Sequence, residues 1–121
     1  MTWRYKVKEA VFYQNEVFRF KATYAGAVGH YNDSSKECVK NKGPLPRGTY
    51  TIGTPYNSAK TGAFTLPLTP DKNNSMCGRS SFLIHGDSVS NPGTASQGCI
   101  IASKHVREKI WESNDRELIV E

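Results

Sequence analysis

The sequence predicts a mostly β, single-domain fold with one late helix, and three observations carry that expectation. Apolar and polar residues alternate with period two through the first half of the chain. Clusters of Gly, Pro, Asn and Ser punctuate it at short intervals, as turns between strands do. Helical spacing replaces the alternation only after Cys99. At 121 residues the chain fits one domain, taken as 1–121, with no repeats or low-complexity linkers.

The elements follow in order. Trp3, Tyr5 and Val7 alternate with Arg4, Lys6 and Lys8, giving a strand with one wet face. Gln14-Asn15-Glu16 is a turn, and Phe18, Phe20 and Ala22 are expected to point inward from the next strand. Tyr31 to Lys42 is polar and expected to be a loop. Gly43-Pro44-Leu45-Pro46-Arg47-Gly48 is a rigid turn feeding the strand Thr49–Ile52. Phe64, Leu66 and Leu68 mark a strand stopped by Pro70, and Asp71 to Ser80 is a second polar loop. Ser81 to His85 is a short buried strand, followed by a long loop from Gly86 to Gln97. Ser103 is a helix N-cap, Val106 and Ile110 share the inner face with Trp111 beside them, and Asn114-Asp115 ends the helix. Leu118 and Val120 belong to a final strand.

Composition excludes several classes. No apolar run approaches the roughly 18 residues of a membrane span. Six charged residues among the first twenty leave no signal-peptide apolar segment, so synthesis in the cytoplasm is expected. The net charge of +5 and a pI near 9.2 favour acidic partners without choosing one. The basic residues are dispersed, and Lys104, Arg107 and Lys109 share a segment with Glu108 and Glu112. That pattern, with no zinc-finger or ribonucleoprotein motif, indicates a solvated surface and no nucleic-acid partner.

Three cysteines, Cys38, Cys77 and Cys99, make an odd count, so at least one thiol is free or pairs between chains. No Cys-x-x-Cys pair occurs and no His sits at ligand spacing, so neither metal nor cofactor is expected. A Cys38–Cys77 bridge would leave Cys99 alone, but spacing does not fix bridge geometry.

The chemistry concentrates in Ile84-His85-Gly86-Asp87 and Ser96-Gln97-Gly98-Cys99-Ile100. His85 and Cys99 are 14 positions apart, joined by a loop long enough to fold back. A thiol of ordinary pKa is only a few per cent ionised at neutral pH, and a neighbouring imidazole can take its proton and later give it to a leaving amine. A paired imidazole is expected to make Cys99 alkylate at lower pH than a free thiol. Gly98 permits close backbone approach, so that main-chain N–H groups near the thiol face a developing oxyanion. A buried structural thiol is the plain alternative for Cys99. His30 and His105 have no such company and are assigned to a loop and the helix surface.

This arrangement resembles the catalytic signature of YkuD-type L,D-transpeptidases, in which His is followed after a dozen or so residues by Ser/Thr-x-Gly-Cys and an aliphatic residue. Pro46-Arg47-Gly48-Thr49-Tyr50-Thr51-Ile52 resembles that family's upstream strand, so the likeness covers roughly residues 43–121. Gln97 stands where housekeeping members usually carry His, Ile101 where they carry Arg, and Asp87 where a small residue is common. These departures bring the chain nearer to a compact branch, the L,D-transpeptidase-like antibacterial effectors of type VI secretion.

The resemblance implies an L,D-transpeptidase-like β-sandwich with its helix after the catalytic Cys. It implies attack by Cys99, activated by His85, on peptidoglycan tetrapeptide stems between diaminopimelate and the terminal D-Ala, releasing or exchanging that residue. A backbone carbonyl near Ser96 is the implied anchor for the His85 ring. Arg79, Asp87 and Gln97 are the candidate substrate-binding residues. Secretion machinery, a cognate immunity protein and delivery to the periplasm of a Gram-negative target are implied as well. Two alternatives remain: a housekeeping crosslinking transpeptidase, and a non-catalytic basic β domain that binds cell-wall polymer or nucleic acid.

Overall fold

Trp3, Tyr5 and Val7 are fully buried, as the alternation requires, and the first two lie on β1 (Trp3–Lys6). In the structure, a computed structural model describing residues 2–121, the chain then turns through Ala10 into β2 (Val11–Gln14), which pairs antiparallel with β1. Asn15 and Glu16, both at positive φ, form the two-residue turn to β3 (Val17–Lys21). Of the residues expected to point inward here, Ala22 is buried and Phe20 packs half-buried against the core, but Phe18 is corrected to the surface at 57% exposure. A register shift between Phe12 and Tyr13 breaks the simple alternation across this pair.

After β4 (Tyr24–Ala25) a polar stretch holds one 3₁₀ turn, Ser34–Lys36, capped by the Asp33 carboxylate. The chain continues through β5 (Gly48–Ile52), β6 (Tyr56–Ser58), β7 (Gly62–Pro70), β8 (Phe82–His85) and β9 (Ile100–Ile101). Ser81, expected in β8, lies outside it at φ +66°. The helix α1 (Lys104–Glu112) starts where Ser103 accepts from the Val106 N–H, and Asn114 at positive φ follows its end. The last strand is β10 (Glu117–Val120).

Hydrogen bonding orders the strands β3-β2-β1-β10-β5-β7-β8-β9-β4, with β6 paired to β7 as a side hairpin. The first and last strands of that order, β3 and β4, are separated in the chain by only Ala22 and Thr23. The sheet therefore curls until its ends meet around one core, and α1 packs against the inside of the curl. His105 of α1 meets Phe20 of β3 edge-to-face, Ser113 just beyond α1 accepts from the Trp3 indole, and Arg107 of α1 holds carbonyls of β7. Arg107, expected on a solvated surface, is 5% exposed. Its guanidinium donates to the Ala102, Ala63 and Phe64 carbonyls, which is why burial is tolerated.

Cys38 and Cys77 form a disulfide with Cα atoms 5.3 Å apart, joining the two polar loops across 39 residues of chain. Closing a loop of that length removes unfolded-state entropy equivalent to about 3–4 kcal/mol. Mild reduction of the folded protein is expected to lower its unfolding free energy by that amount, read from urea transitions with and without dithiothreitol. An unchanged midpoint would contradict it.

Candidate active site

His85 ends β8 and Cys99 immediately precedes β9, and these two strands run parallel with His85 opposite Ile101. Cys99 thus lies two positions along the neighbouring strand from the partner of His85. Strand spacing of about 4.8 Å and a rise of about 3.3 Å per residue put the two Cα atoms about 8 Å apart on one face, within reach of an imidazole. Both side chains line a single cavity of about 970 Å³.

The His85 Nδ1 sits 2.8 Å from the Gly86 carbonyl oxygen. A carbonyl only accepts, so Nδ1 carries the proton and Nε2 is left as the free base. This replaces the expected anchor near Ser96. Ser96, 2% exposed, instead shapes the turn that carries the thiol. Its hydroxyl donates to the Cys99 carbonyl at 2.7 Å and accepts from the Gly26 and Gly98 N–H groups, each at 3.0 Å. All of its hydrogen-bonding capacity is used.

Gly98 has φ +139°, and a Cβ there would meet the Arg79 guanidinium and the Phe82 ring at 2.7 Å each. Only glycine fits both the backbone and the space. The Gly98 N–H is taken by Ser96, so it is not an oxyanion donor. The main chain of Leu83 and of Cys99 itself favours the ionised form of the sulfur.

Electrostatics correct one further expectation. Burial pushes the Cys99 thiol above its ordinary value, outweighing the Leu83 backbone and the Arg79 charge. Burial also holds His85 below the ordinary imidazole value, against the pull of the Gly86 carbonyl, and Arg107 adds to the lowering. Both shifts favour the neutral thiol and neutral imidazole over the ion pair in the resting site. Alkylation of resting Cys99 is expected to rise at higher pH than for a free thiol. His85 fails as a base only once protonated, and a lowered pKa moves that loss to lower pH. The acid limb of kcat/KM is therefore expected below about 6.5, the unperturbed imidazole value; a limb above it would refute this assignment.

Arg79, a candidate for gripping substrate, is 7% exposed and fully engaged elsewhere. Its guanidinium donates to the carbonyls of Glu37 (2.5 Å), Pro44 (3.0 Å), Gly43 (2.9 Å) and Gln97 (3.0 Å) and lies over the Phe82 ring. It is a clamp between the disulfide-bearing loop and the Cys99 turn. Asp87 is likewise committed. Its carboxylate accepts from the Tyr24 hydroxyl at 2.7 Å and from the Ser88 and Gly93 N–H groups, fixing the loop between His85 and Cys99. Gln97 is exposed and lines the cavity, leaving its amide available. Sequence reasoning passed over Lys40 and Lys60, which also line the cavity. Among the described residues, no group of three His, Cys, Asp or Glu side chains is placed to hold a metal ion. Nor is any helix long and apolar enough to cross a membrane.

Comparison with known proteins bears on the fold and the family. The chain resembles the solved structure of Bd1075 from Bdellovibrio bacteriovorus at 13% identity and a TM-score of 0.62, with 99% of this chain matching 47% of that one. An L,D-transpeptidase from Xylanimonas cellulosilytica matches at 14% identity and a TM-score of 0.56, covering 99% and 59%. One from Mycobacterium smegmatis matches at 14% and 0.51, covering 99% and 58%. The chain thus spans between 47% and 59% of the length of these proteins, and the likeness establishes an L,D-transpeptidase-like fold. No curated protein matches the sequence. The model of the Tlde1 domain matches residues 19–119, most of the chain, from within β3 to within β10 and including His85 and Cys99. The chain belongs to the Tlde1 domain family.

Proposed function

We propose that the chain is a cysteine acyl-transfer enzyme that removes the terminal D-Ala from peptidoglycan tetrapeptide stems, or exchanges it for another D-amino acid. The observation that carries this reading is the placement of Cys99 and an Nδ1-anchored His85 on one wall of one cavity. Family membership supports peptidoglycan as the substrate.

In the proposed cycle His85 Nε2 takes the Cys99 proton as the sulfur attacks the diaminopimelate carbonyl. The tetrahedral oxyanion faces the main-chain donors beside the sulfur. The C–N bond breaks, and His85 returns the proton to the departing D-Ala amine. Water, or the amine of a D-amino acid, then attacks the thioester, gives its proton to His85 and releases the sulfur, which recovers the proton. Delivery by a secretion machine to a target periplasm, and neutralisation by an immunity protein in the producer, complete the proposal.

Purified protein incubated with diaminopimelate-type tetrapeptide muropeptides is expected to give products lighter by one D-Ala, read by mass spectrometry. Added D-amino acid that appears in the product marks exchange. Dimers crosslinked through diaminopimelate would point to a crosslinking transpeptidase instead. An unchanged muropeptide profile would overturn the enzymatic reading.

A further inference from the structure

The β6–β7 hairpin stands apart from the main strand order, paired only through β7. Its tip, Ala59 to Gly62, forms a wall of the cavity that holds Cys99. The tip is shaped by its own side chains: Ser58 Oγ accepts from the Lys60 and Thr61 N–H groups, and the Thr61 and Thr65 hydroxyls are 2.8 Å apart. Lys60 is therefore presented from a defined turn. Lys40 contributes a second ammonium from the disulfide-bearing loop.

Neither lysine forms an ion pair among the described residues. The carboxylate that shares the cavity, Asp87, is occupied by Tyr24, Ser88 and Gly93. The other nearby cation, Arg79, is spent on four backbone carbonyls. The cavity thus offers unmatched positive charge beside the nucleophile and no free negative charge. A peptide cut one residue from its C-terminus brings a carboxylate close to the scissile carbonyl.

We propose that Lys60 binds the terminal carboxylate of the substrate peptide, making the β6–β7 tip the element that selects stems ending in a free D-amino acid one residue beyond the scissile bond. The inference rests on the acyl-transfer reading above.

The test compares a tetrapeptide stem with a free C-terminal carboxylate against the same stem ending in a carboxamide. Lys60→Gln is expected to raise KM about tenfold for the free acid, with kcat little changed and KM for the amide unmoved. Lys60→Arg should restore the free-acid KM, and salt should weaken wild-type selectivity. An unchanged free-acid KM in Lys60→Gln, or an equal loss on both peptides, overturns the assignment while leaving the enzyme reading intact. Absent turnover by the wild-type protein overturns that reading instead. Titration of both peptides into Cys99→Ala, with and without Lys60→Gln, then decides the Lys60 contact: a selective loss for the free acid supports it, and equal affinities refute it.

Discussion

Replacing Cys99 by alanine is expected to lower turnover of tetrapeptide stems by about four to six orders of magnitude, the scale seen when a covalent nucleophile is deleted. In the proposed cycle the sulfur supplies the bond that divides the reaction into acylation and deacylation, and no neighbour can substitute. Ser96 is nearest in kind, but its hydroxyl donates to the Cys99 carbonyl and accepts two N–H groups, so no lone pair is free to attack. The half-buried Cys99 side chain leaves little cavity when shortened, so the variant should fold, and its unfolding transition serves as the control. His85→Ala should cost nearly as much alone and little more on top of Cys99→Ala, because the two act as a unit. Residual wild-type turnover in Cys99→Ala would remove the thiol from the mechanism.

Arg79→Met is expected to destabilise the fold by about 5 kcal/mol or more, a large share of the roughly 5–15 kcal/mol available to a domain. Four carbonyls lose a charged donor together, and an unsatisfied buried acceptor costs about 1–3 kcal/mol. Arg79→Lys should recover only part of this, since a compact ammonium cannot reproduce a planar fork reaching carbonyls on three segments. Urea unfolding and steady-state kinetics separate the two possible roles. A clamp predicts a lowered midpoint in both variants; a substrate grip predicts an unchanged midpoint with a raised KM.

The sequence revealed the parts whose signal is local. β1, β5, β7, β8, β10 and α1 each carry a periodic apolar set or a cap, and each formed near its expected place. His85 and Cys99 were legible because two glycines and a fixed loop length frame them. β2 was missed because Val11 and Phe12 are both buried, which breaks the two-residue alternation. β4 and β9 have only two residues each and exist through pairing with one another and with β8. The same limit explains the misassigned charges. Arg79 finds its acceptors on main-chain atoms 18 to 42 residues away, and a backbone carbonyl leaves no mark in an amino-acid sequence. Lys60 gave no warning either, since only the folded hairpin brings it to the cavity.

The disulfide encloses β5, β6 and β7, with the exposed Lys60 near the middle of the enclosed segment. A trypsin cut after Lys60 would therefore leave one fragment carrying Cys38 and another carrying Cys77, still tethered covalently. The nicked molecule should migrate as a single band until reductant splits it into two pieces of nearly equal size.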